Sequence, residues 1–118
     1  MIKDYDKAIF IQIAELLCDR LLSGYYNIYE QAPSIRALAS ELQVNPNTVI
    51  RTYEKLKKDD IIYIKRGIGY FFKEDSVNTI LNIKRDYFKE KTLPSFFKEM
   101  ELLGITIEDI IKIYNTTI

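Results

Sequence analysis

Apolar residues recur at helical spacing in the first half of the chain. The first repeat consists of Ile9, Ile13, Leu16, Leu17 and Leu21. It runs to residue 23, and Gly24 lies where such a helix would end. A second and shorter stripe consists of Ile35, Leu38, Ala39 and Leu42. Ser34 is a good N-cap immediately before this stripe, so the pattern predicts a second helix that ends near Gln43.

The start signal of a third helix is the strongest in the chain. Asn45 is a preferred N-cap residue, and Pro46 suits the first helical position, where a missing amide hydrogen costs nothing. The inward-facing positions of this helix are Val49, Tyr53 and Leu56. Its opposite face carries Asn47, Arg51, Lys55 and Lys58. We therefore expect a helix from Pro46 with one buried face and one basic face.

Two β-branched and aromatic runs, residues 61–64 and 70–72, follow the third helix. Gly67 and Gly69 lie between the runs and permit positive φ angles at the tip of a hairpin. Lys65 and Arg66 add positive charge beside these glycines, where a phosphate backbone can approach. Helix, turn, helix and hairpin in this order predict a winged helix-turn-helix.

Residues 76–118 contain three further helical patterns. Ser76 is expected to cap a helix that ends near Lys91, and Pro94 lies early in a helix that ends at Gly104. Thr106 is expected to cap the last helix. The main inward-facing residues of the three patterns are Ile80, Ile83, Tyr87, Phe96, Phe97, Met100, Leu103, Ile110, Ile111 and Tyr114. The predicted fold is mainly α with a small β-hairpin: a winged helix-turn-helix domain at residues 1–75 and a short helical dimerisation region at residues 76–118.

A helical region of roughly 40 residues seldom buries enough surface to be stable alone. Packing of the apolar residues named above against the same region of a second copy would form an isologous homodimer. The alternative is that the region folds back on the first helix of its own chain. A dimer would place two recognition helices about 34 Å apart, which predicts an inverted-repeat DNA target. An effector could bind at this interface beside Tyr87, Phe96 and Phe97, unless these aromatic side chains form core.

The composition is that of an ordinary globular protein, with 47% hydrophobic and 29% charged residues. Its longest apolar runs have four residues, far fewer than the roughly 20 of a membrane helix. Residues 1–6 include two acids and no apolar run, so we expect no secretory signal and a cytoplasmic location. The chain has no His, one Cys and no Walker-type phosphate loop, so we expect neither an enzyme nor a cofactor or metal site.

Charge is unevenly distributed along the chain. Seventeen basic and seventeen acidic residues give no net charge, but residues 33–73 hold eight basic and four acidic residues. Such a local surplus can neutralise DNA phosphates, although a solvated mixed-charge surface explains it equally well.

The third helix is the candidate for insertion into a DNA major groove, because the N-terminal residues of a recognition helix reach base edges. The predicted base-reading residues are Asn47, Thr48 and Arg51. Arg36 is placed for a phosphate or the groove edge. Two alternatives stay open: either arginine could form a surface ion pair with Glu41 or Glu54, and the Thr48 hydroxyl could complete the helix cap.

Two segments are distinctive. Residues 33–49 read Pro-Ser-Ile-Arg-Ala-Leu-Ala-Ser-Glu-Leu-Gln-Val-Asn-Pro-Asn-Thr-Val, and residues 66–69 read Arg-Gly-Ile-Gly. They resemble the winged helix-turn-helix of the GntR family of bacterial repressors, and Asn-Pro-Asn-Thr with the short tail resembles its YtrA subfamily. The resemblance covers about residues 7–72 by motif. It implies a homodimeric transcriptional regulator that binds a palindromic operator, often near transporter genes. The DNA contacts that it implies are Ser34, Arg36, Asn47, Thr48, Arg51 and Gly67.

The chain departs from the family pattern at two places. Ile28-Tyr29-Glu30 stands where the family usually has Pro-Gly-Asp, so this turn must form without glycine. Ile68 stands where the wing usually has an arginine, and Lys65 and Arg66 are partial replacements.

Two functions follow from these observations. The first is a sequence-specific DNA-binding transcriptional regulator, a repressor that acts as a homodimer. The second is a winged-helix protein-interaction module whose basic face is incidental. The full set of residues expected to contact DNA is Ser34, Arg36, Asn45, Asn47, Thr48, Arg51, Lys55, Lys65, Arg66 and Gly67.

Overall fold

The computed structural model describes residues 7–118. The expectation of no secretory signal concerns residues 1–6, which lie outside the described residues. The elements in chain order are α1 (Ile9–Leu22), α2 (Ile35–Leu42), α3 (Pro46–Lys58), β1 (Ile62–Lys65), β2 (Gly69–Phe72), α4 (Ser76–Tyr87), a π-helical turn (Phe88–Thr92), α5 (Leu93–Leu103) and α6 (Ile107–Thr117). The predicted fold class, mainly helical with one small antiparallel hairpin, is confirmed.

The end of α1 and the connector that follows it are formed by local hydrogen bonds. Gly24 adopts a φ of 85° and ends the helix, as predicted. The turn without glycine is formed by Asn27, whose side-chain Oδ1 accepts a hydrogen bond of 2.8 Å from the Tyr29 amide. The Asn27 carbonyl also accepts a bond of 3.0 Å from the Glu30 amide. An Asx turn therefore forms here without glycine.

A tight turn joins α2 to α3. Ser34 Oγ accepts a hydrogen bond of 3.0 Å from the Ala37 amide, which confirms the predicted N-cap of α2. At the other end of α2, Gln43 adopts the left-handed conformation with φ 54° and ψ 49°. This conformation lets the Val44 amide reach the Ala39 carbonyl at 3.1 Å, a bond typical of a Schellman motif. The turn fixes the angle at which α3 leaves α2.

The hairpin pairs β1 with β2 in the register Ile62 to Phe72 and Lys65 to Gly69. The chain before α2 joins the same sheet edge, which the sequence did not predict. Gln31 forms an isolated antiparallel bridge with Phe71, and the Ala32 amide donates to the Tyr70 carbonyl at 2.8 Å. The hairpin is thus attached to the segment that leads into the helix-turn-helix.

The buried core joins α1, α2, α3, the hairpin and the start of α4. Its largest fully buried side chains include Ile13, Leu17, Leu38, Val49, Tyr53, Leu56, Ile62 and Ile80. The expectation that Ile80 belongs to a dimer interface is wrong, because its side chain is only 2% exposed and lies in this core. Burial of Ile80 fixes the first turns of α4 to the winged-helix core.

The chain divides into two units between Leu81 and Asn82, inside α4, rather than after Asp75. Ser76 was expected to cap this helix, but it is the first helical residue and its hydroxyl is buried. The Asp75 carbonyl instead accepts from the Thr79 amide at 3.2 Å. The difference in boundary follows from this packing, because Ser76 and Ile80 are both buried with the first unit.

The backbone is continuously helical from α4 through α5, where a break was predicted. No new helix starts with a cap at Thr92, because Thr92 itself is helical and its side chain makes no capping bond. The Leu93 amide instead bonds to the Phe88 carbonyl five residues earlier, as in a π-helix. Pro94 has no amide hydrogen, and the wide turn before it leads into α5 without a cap.

The last helix begins as expected. Thr106 Oγ1 accepts a hydrogen bond of 3.2 Å from the Asp109 amide, and Asp109 Oδ2 accepts one of 3.0 Å from the Thr106 amide. This capping box holds the start of α6. The bonds from Thr106 lower the pKa of the Asp109 carboxyl.

Large apolar side chains of the second unit remain exposed, although they were predicted to face inward. Those of the predicted set that are exposed are Ile83, Tyr87, Phe96, Phe97, Leu103, Ile111 and Tyr114. Met100 and Ile110 are half-buried. None of the helices within residues 7–118 has the length and apolarity needed to cross a membrane.

Candidate nucleic-acid interface

The amino-terminal end of α3 is built by the predicted cap. Asn45 Oδ1 accepts a hydrogen bond of 2.8 Å from the Asn47 amide, and Pro46 takes the first helical position. Asn45 and not Thr48 therefore provides the side-chain cap of this helix. The side-chain oxygen of Asn45 is engaged in the cap. The side chain of Asn47, by contrast, is exposed at the start of the helix.

The two faces of α3 differ sharply in burial. Val49, Thr52, Tyr53 and Leu56 are buried. Thr52 Oγ1 donates to the Thr48 carbonyl at 2.9 Å and lies 3.1 Å from the Phe10 carbonyl oxygen, which ties α3 to α1. Because one face is fixed in this way, the other is presented outward. Its exposed residues are Asn47, Ile50, Arg51, Glu54, Lys57 and Lys58.

Arg51 is held by an aromatic ring rather than by a carboxylate. Its guanidinium carbon lies 4.2 Å from the centroid of the Phe10 ring, a cation–π arrangement. Glu54, the alternative ion-pair partner, instead pairs with Lys57 at 3.5 Å. The positive charge of Arg51 is therefore not neutralised by a carboxylate among residues 7–118.

Arg36 is also without the ion pair that was considered for it. Glu41 forms a two-pronged pair with Arg20, whose guanidinium also donates to Tyr26 Oη at 2.8 Å. This network joins α1 to α2 and raises the Arg20 pKa above its ordinary value, chiefly through the bonds to Glu41. Arg36 is exposed at the start of α2 and contacts no acid of the described chain.

Lys55 is the predicted DNA contact whose charge is engaged elsewhere. Its ammonium group forms an ion pair of 2.8 Å with Asp59, four residues later on the same helix, and the side chain is half-buried. The spacing of the two residues in the sequence could have indicated this pair. Lys58, by contrast, is exposed and has no ion-pair partner within residues 7–118.

The hairpin carries its charge on both sides of a glycine turn. Gly67 has φ 77° and Gly69 has φ 142°, which confirms the positive angles expected there. Lys65 belongs to β1, and its ammonium lies 4.6 Å from the Phe71 ring centroid, whereas Arg66 is exposed in the turn itself. Ile68, which lies between the two glycines, is 62% exposed.

Gln31 holds this turn in place. Its side-chain Nε2 donates a hydrogen bond of 2.8 Å to the Ile68 carbonyl. The approach is so close that a Cβ on Gly69 would lie 2.2 Å from the same nitrogen. Sequence reasoning missed Gln31, Phe10 and Ile50. The first two act across long sequence separations, and Ile50 has no polar group that would mark it in the sequence as part of an outward face.

A helix-turn-helix with a short hairpin, and with an exposed helix face that contains two unneutralised cations, defines a winged helix-turn-helix protein of the DNA-binding class. Residues 11–72 match the family model described as bacterial regulatory proteins, gntR family. The chain belongs to the GntR family, and it is a transcriptional regulator of the YtrA type.

Relatives match most of the chain and not only the helix-turn-helix. The HTH-type transcriptional regulator YhcF of Bacillus subtilis (strain 168) is 33% identical over 106 residues, covering 90% of this chain and 86% of that protein. The HTH-type transcriptional repressor YtrA of the same organism is 30% identical, covering 85% of this chain and 76% of that protein. A crystal structure of a GntR-family regulator from Bacteroides thetaiotaomicron superposes with a TM-score of 0.80 at 38% identity, covering 93% of this chain and 96% of that one. These relatives are regulators and not enzymes.

Proposed function

We propose that this regulator is a repressor that binds an inverted-repeat operator as a homodimer, with α3 of each copy in a major groove. The observation that carries the proposal is the outward face of α3, where Asn47 and Arg51 are exposed near the helix start. Asn can form two hydrogen bonds with adenine, and Arg can form two with guanine. Such bidentate contacts distinguish one base pair from another. The repressor role is supported by the likeness to YtrA, which is described as a transcriptional repressor.

The unneutralised arginines support contacts to the phosphate backbone. Arg36 at the start of α2 and Arg66 in the hairpin turn are exposed, and neither forms an ion pair with a described residue. Ser34 and Gly67 lie beside them and offer a hydroxyl and a closely approachable backbone. We assign phosphate contacts to these four residues and to Lys65, and base contacts to Asn47, Thr48 and Arg51.

The second unit supports the homodimer. The unit spans Asn82–Ile118, and none of its residues is buried. A region of fewer than about 40 residues is seldom stable by itself. Phe96 and Tyr114 line an apolar cleft of this unit, whereas Phe97 and Tyr87 do not. Packing of the exposed apolar side chains against a second copy would remove them from water. An effector that binds at this interface is part of the proposal, with the cleft beside Phe96 as its place.

The DNA-binding part is tested by selecting duplexes from a random pool with the full-length protein. We expect an inverted repeat with half-sites about one helical turn apart. Arg51→Ala should weaken binding to the selected duplex by about 1–3 kcal/mol more than binding to a scrambled one. Lys98→Ala, which removes an exposed charge of α5, is the matched control and should have little effect.

Salt dependence separates this function from a protein-interaction module. The logarithm of the affinity for the selected duplex should fall linearly as the logarithm of the salt concentration rises. The reason is that Lys and Arg side chains that bind phosphates displace counterions from the DNA. Failure to select any duplex, or an Arg51→Ala variant that binds the selected duplex as tightly as the wild type, would contradict readout by α3.

The homodimer is tested by sedimentation of full-length variants. Ile111→Lys and Tyr114→Lys place charges on exposed apolar positions of α6 and should yield monomers. Thr116→Lys adds the same charge at an exposed polar position of α6 and should leave the dimer intact. Dimers that persist in both apolar variants would locate the interface elsewhere.

A further inference from the structure

One residue on the outward face of α3 is neither polar nor buried. The Ile50 side chain is 41% exposed, whereas the adjacent Val49 is fully buried. Ile50 lies three positions after Asn47 and one before Arg51, so it stands among the residues to which base contacts are assigned. It is not a member of the hydrophobic core.

The immediate surroundings of Ile50 do not suit phosphate binding. Glu54, four residues later on the same face, carries a negative charge and forms an ion pair of 3.5 Å with Lys57. Isoleucine has no group that can bind a phosphate, and the charge of Lys57 beside it is engaged by Glu54, so this part of the helix is better suited to base edges than to the backbone. The same side of α3 also carries Asn47, which can approach a base directly.

The major groove of DNA presents one apolar group, the C5 methyl of thymine. A β-branched side chain in a helix has one strongly preferred χ1 rotamer, so Ile50 offers its methyl groups in a fixed direction. Along the helix axis, Ile50 lies about 4.5 Å beyond Asn47, similar to the rise of about 3.4 Å between successive nucleotides. The two residues are therefore spaced to contact neighbouring base pairs.

We infer that Ile50 is a specificity-determining residue that recognises a thymine methyl group in each half-site, next to the base pair contacted by Asn47. This inference rests on the proposed function, since it requires α3 to lie in the major groove. Ile50 recognises thymine by apolar contact with its methyl group. Cytosine and uracil lack this methyl group and leave the space over Ile50 unfilled.

The test uses the full-length protein and the duplex that it selects from a random pool. Each thymine of the half-site is replaced in turn by deoxyuridine, which lacks only the methyl group, and dissociation constants are measured by fluorescence anisotropy. For wild-type protein we expect one position at which the replacement weakens binding about four-fold, as for loss of one buried methyl group. Ile50→Ala should bind the thymine duplex correspondingly less tightly and should not distinguish thymine from deoxyuridine at that position.

Ile50→Val provides the matched control, because it keeps a β-branched side chain and should keep discrimination at the same position. Circular dichroism checks that both variants retain the helices of the wild type. If Ile50→Ala weakens binding to the thymine and deoxyuridine duplexes by the same factor at every position, Ile50 does not contact a thymine methyl group. That result would overturn the inference. An intact response to Arg51→Ala in that experiment would leave the proposed function standing, whereas failure to select any duplex would remove both.

Discussion

Arg51 of α3 lies over the ring of Phe10 of α1, with 4.2 Å between the guanidinium carbon and the ring centroid. The two residues are far apart in sequence, and the contact sets the direction of a long cationic side chain on the outward face of α3. An aromatic ring can hold a guanidinium without neutralising its charge or blocking all of its donors. The contact therefore leaves Arg51 available to a base.

We expect Phe10→Leu to weaken binding to the selected duplex about two- to five-fold, the size of an exposed cation–π interaction. The variant keeps an apolar side chain and loses the ring that orients Arg51. Phe10→Tyr keeps the ring and should bind like the wild type. Anisotropy titrations of the three proteins check this, and combination with Arg51→Ala should abolish the effect of Phe10→Leu if the ring acts through Arg51.

Gln43 occupies a left-handed conformation that favours glycine. Its φ of 54° and ψ of 49° place it at the end of α2, where a side chain with a Cβ is disfavoured. We expect Gln43→Gly to raise the free energy of unfolding by about 1 kcal/mol. Gln43→Ala retains the Cβ and should give no such gain, so urea denaturation that shows equal stabilisation by both substitutions would contradict the explanation.

Gly69 is expected to tolerate no side chain. A Cβ there would meet Gln31 Nε2 at 2.2 Å, and its φ of 142° is rarely adopted by other residues. Gly69→Ala should lower the free energy of unfolding by about 1–3 kcal/mol. Adding Gln31→Ala removes the steric conflict but not the backbone strain, so it should recover part of the loss. Full recovery in thermal denaturation would show that the backbone angle is harmless.

Tyr53 should make stability fall at alkaline pH. Burial of Tyr53, with Tyr26 and Tyr70 nearby, raises its pKa well above the ordinary value. At alkaline pH the folded protein keeps a proton that the unfolded chain releases. The contribution of Tyr53 to the free energy of unfolding is therefore fully present below a pH of about 10 and is lost as the pH rises beyond it.

Tyr53→Phe provides the comparison for this pH dependence. It removes the hydrogen bond that the Tyr53 hydroxyl donates to the Pro33 carbonyl, which should cost about 1 kcal/mol at neutral pH. Urea denaturation between neutral pH and pH of about 11 should show a shallower decline for the variant than for the wild type. Parallel declines would assign the alkaline loss to other groups.

The features that could be predicted from the sequence depend on neighbouring residues. Asn45 and Pro46 mark the start of α3, and Thr106 marks the start of α6, because caps and first-turn residues act within one helical turn. The family could be recognised for the same reason, since its motif lies within the helix-turn-helix and the hairpin.

Features that depend on distant residues could not be predicted in this way. Ile80 fits the apolar stripe of a dimerising helix, but packing against the winged-helix core buries it. The contacts of Phe10 with Arg51 and of Gln31 with Ile68 join residues that only the folded chain brings together. The π-helical turn before Pro94 was missed because apolar periodicity does not reveal an extra residue in a turn.

The bond from Gln31 to the Ile68 carbonyl has an entropic consequence. A hairpin of two four-residue strands would ordinarily fluctuate at its tip, and ordering it on contact with a ligand would lower the affinity. Here a side chain from the segment before α2 bonds to the tip and restricts its motion before any ligand binds. Less conformational freedom therefore remains to be lost at this tip on binding a ligand than in a hairpin without the bond.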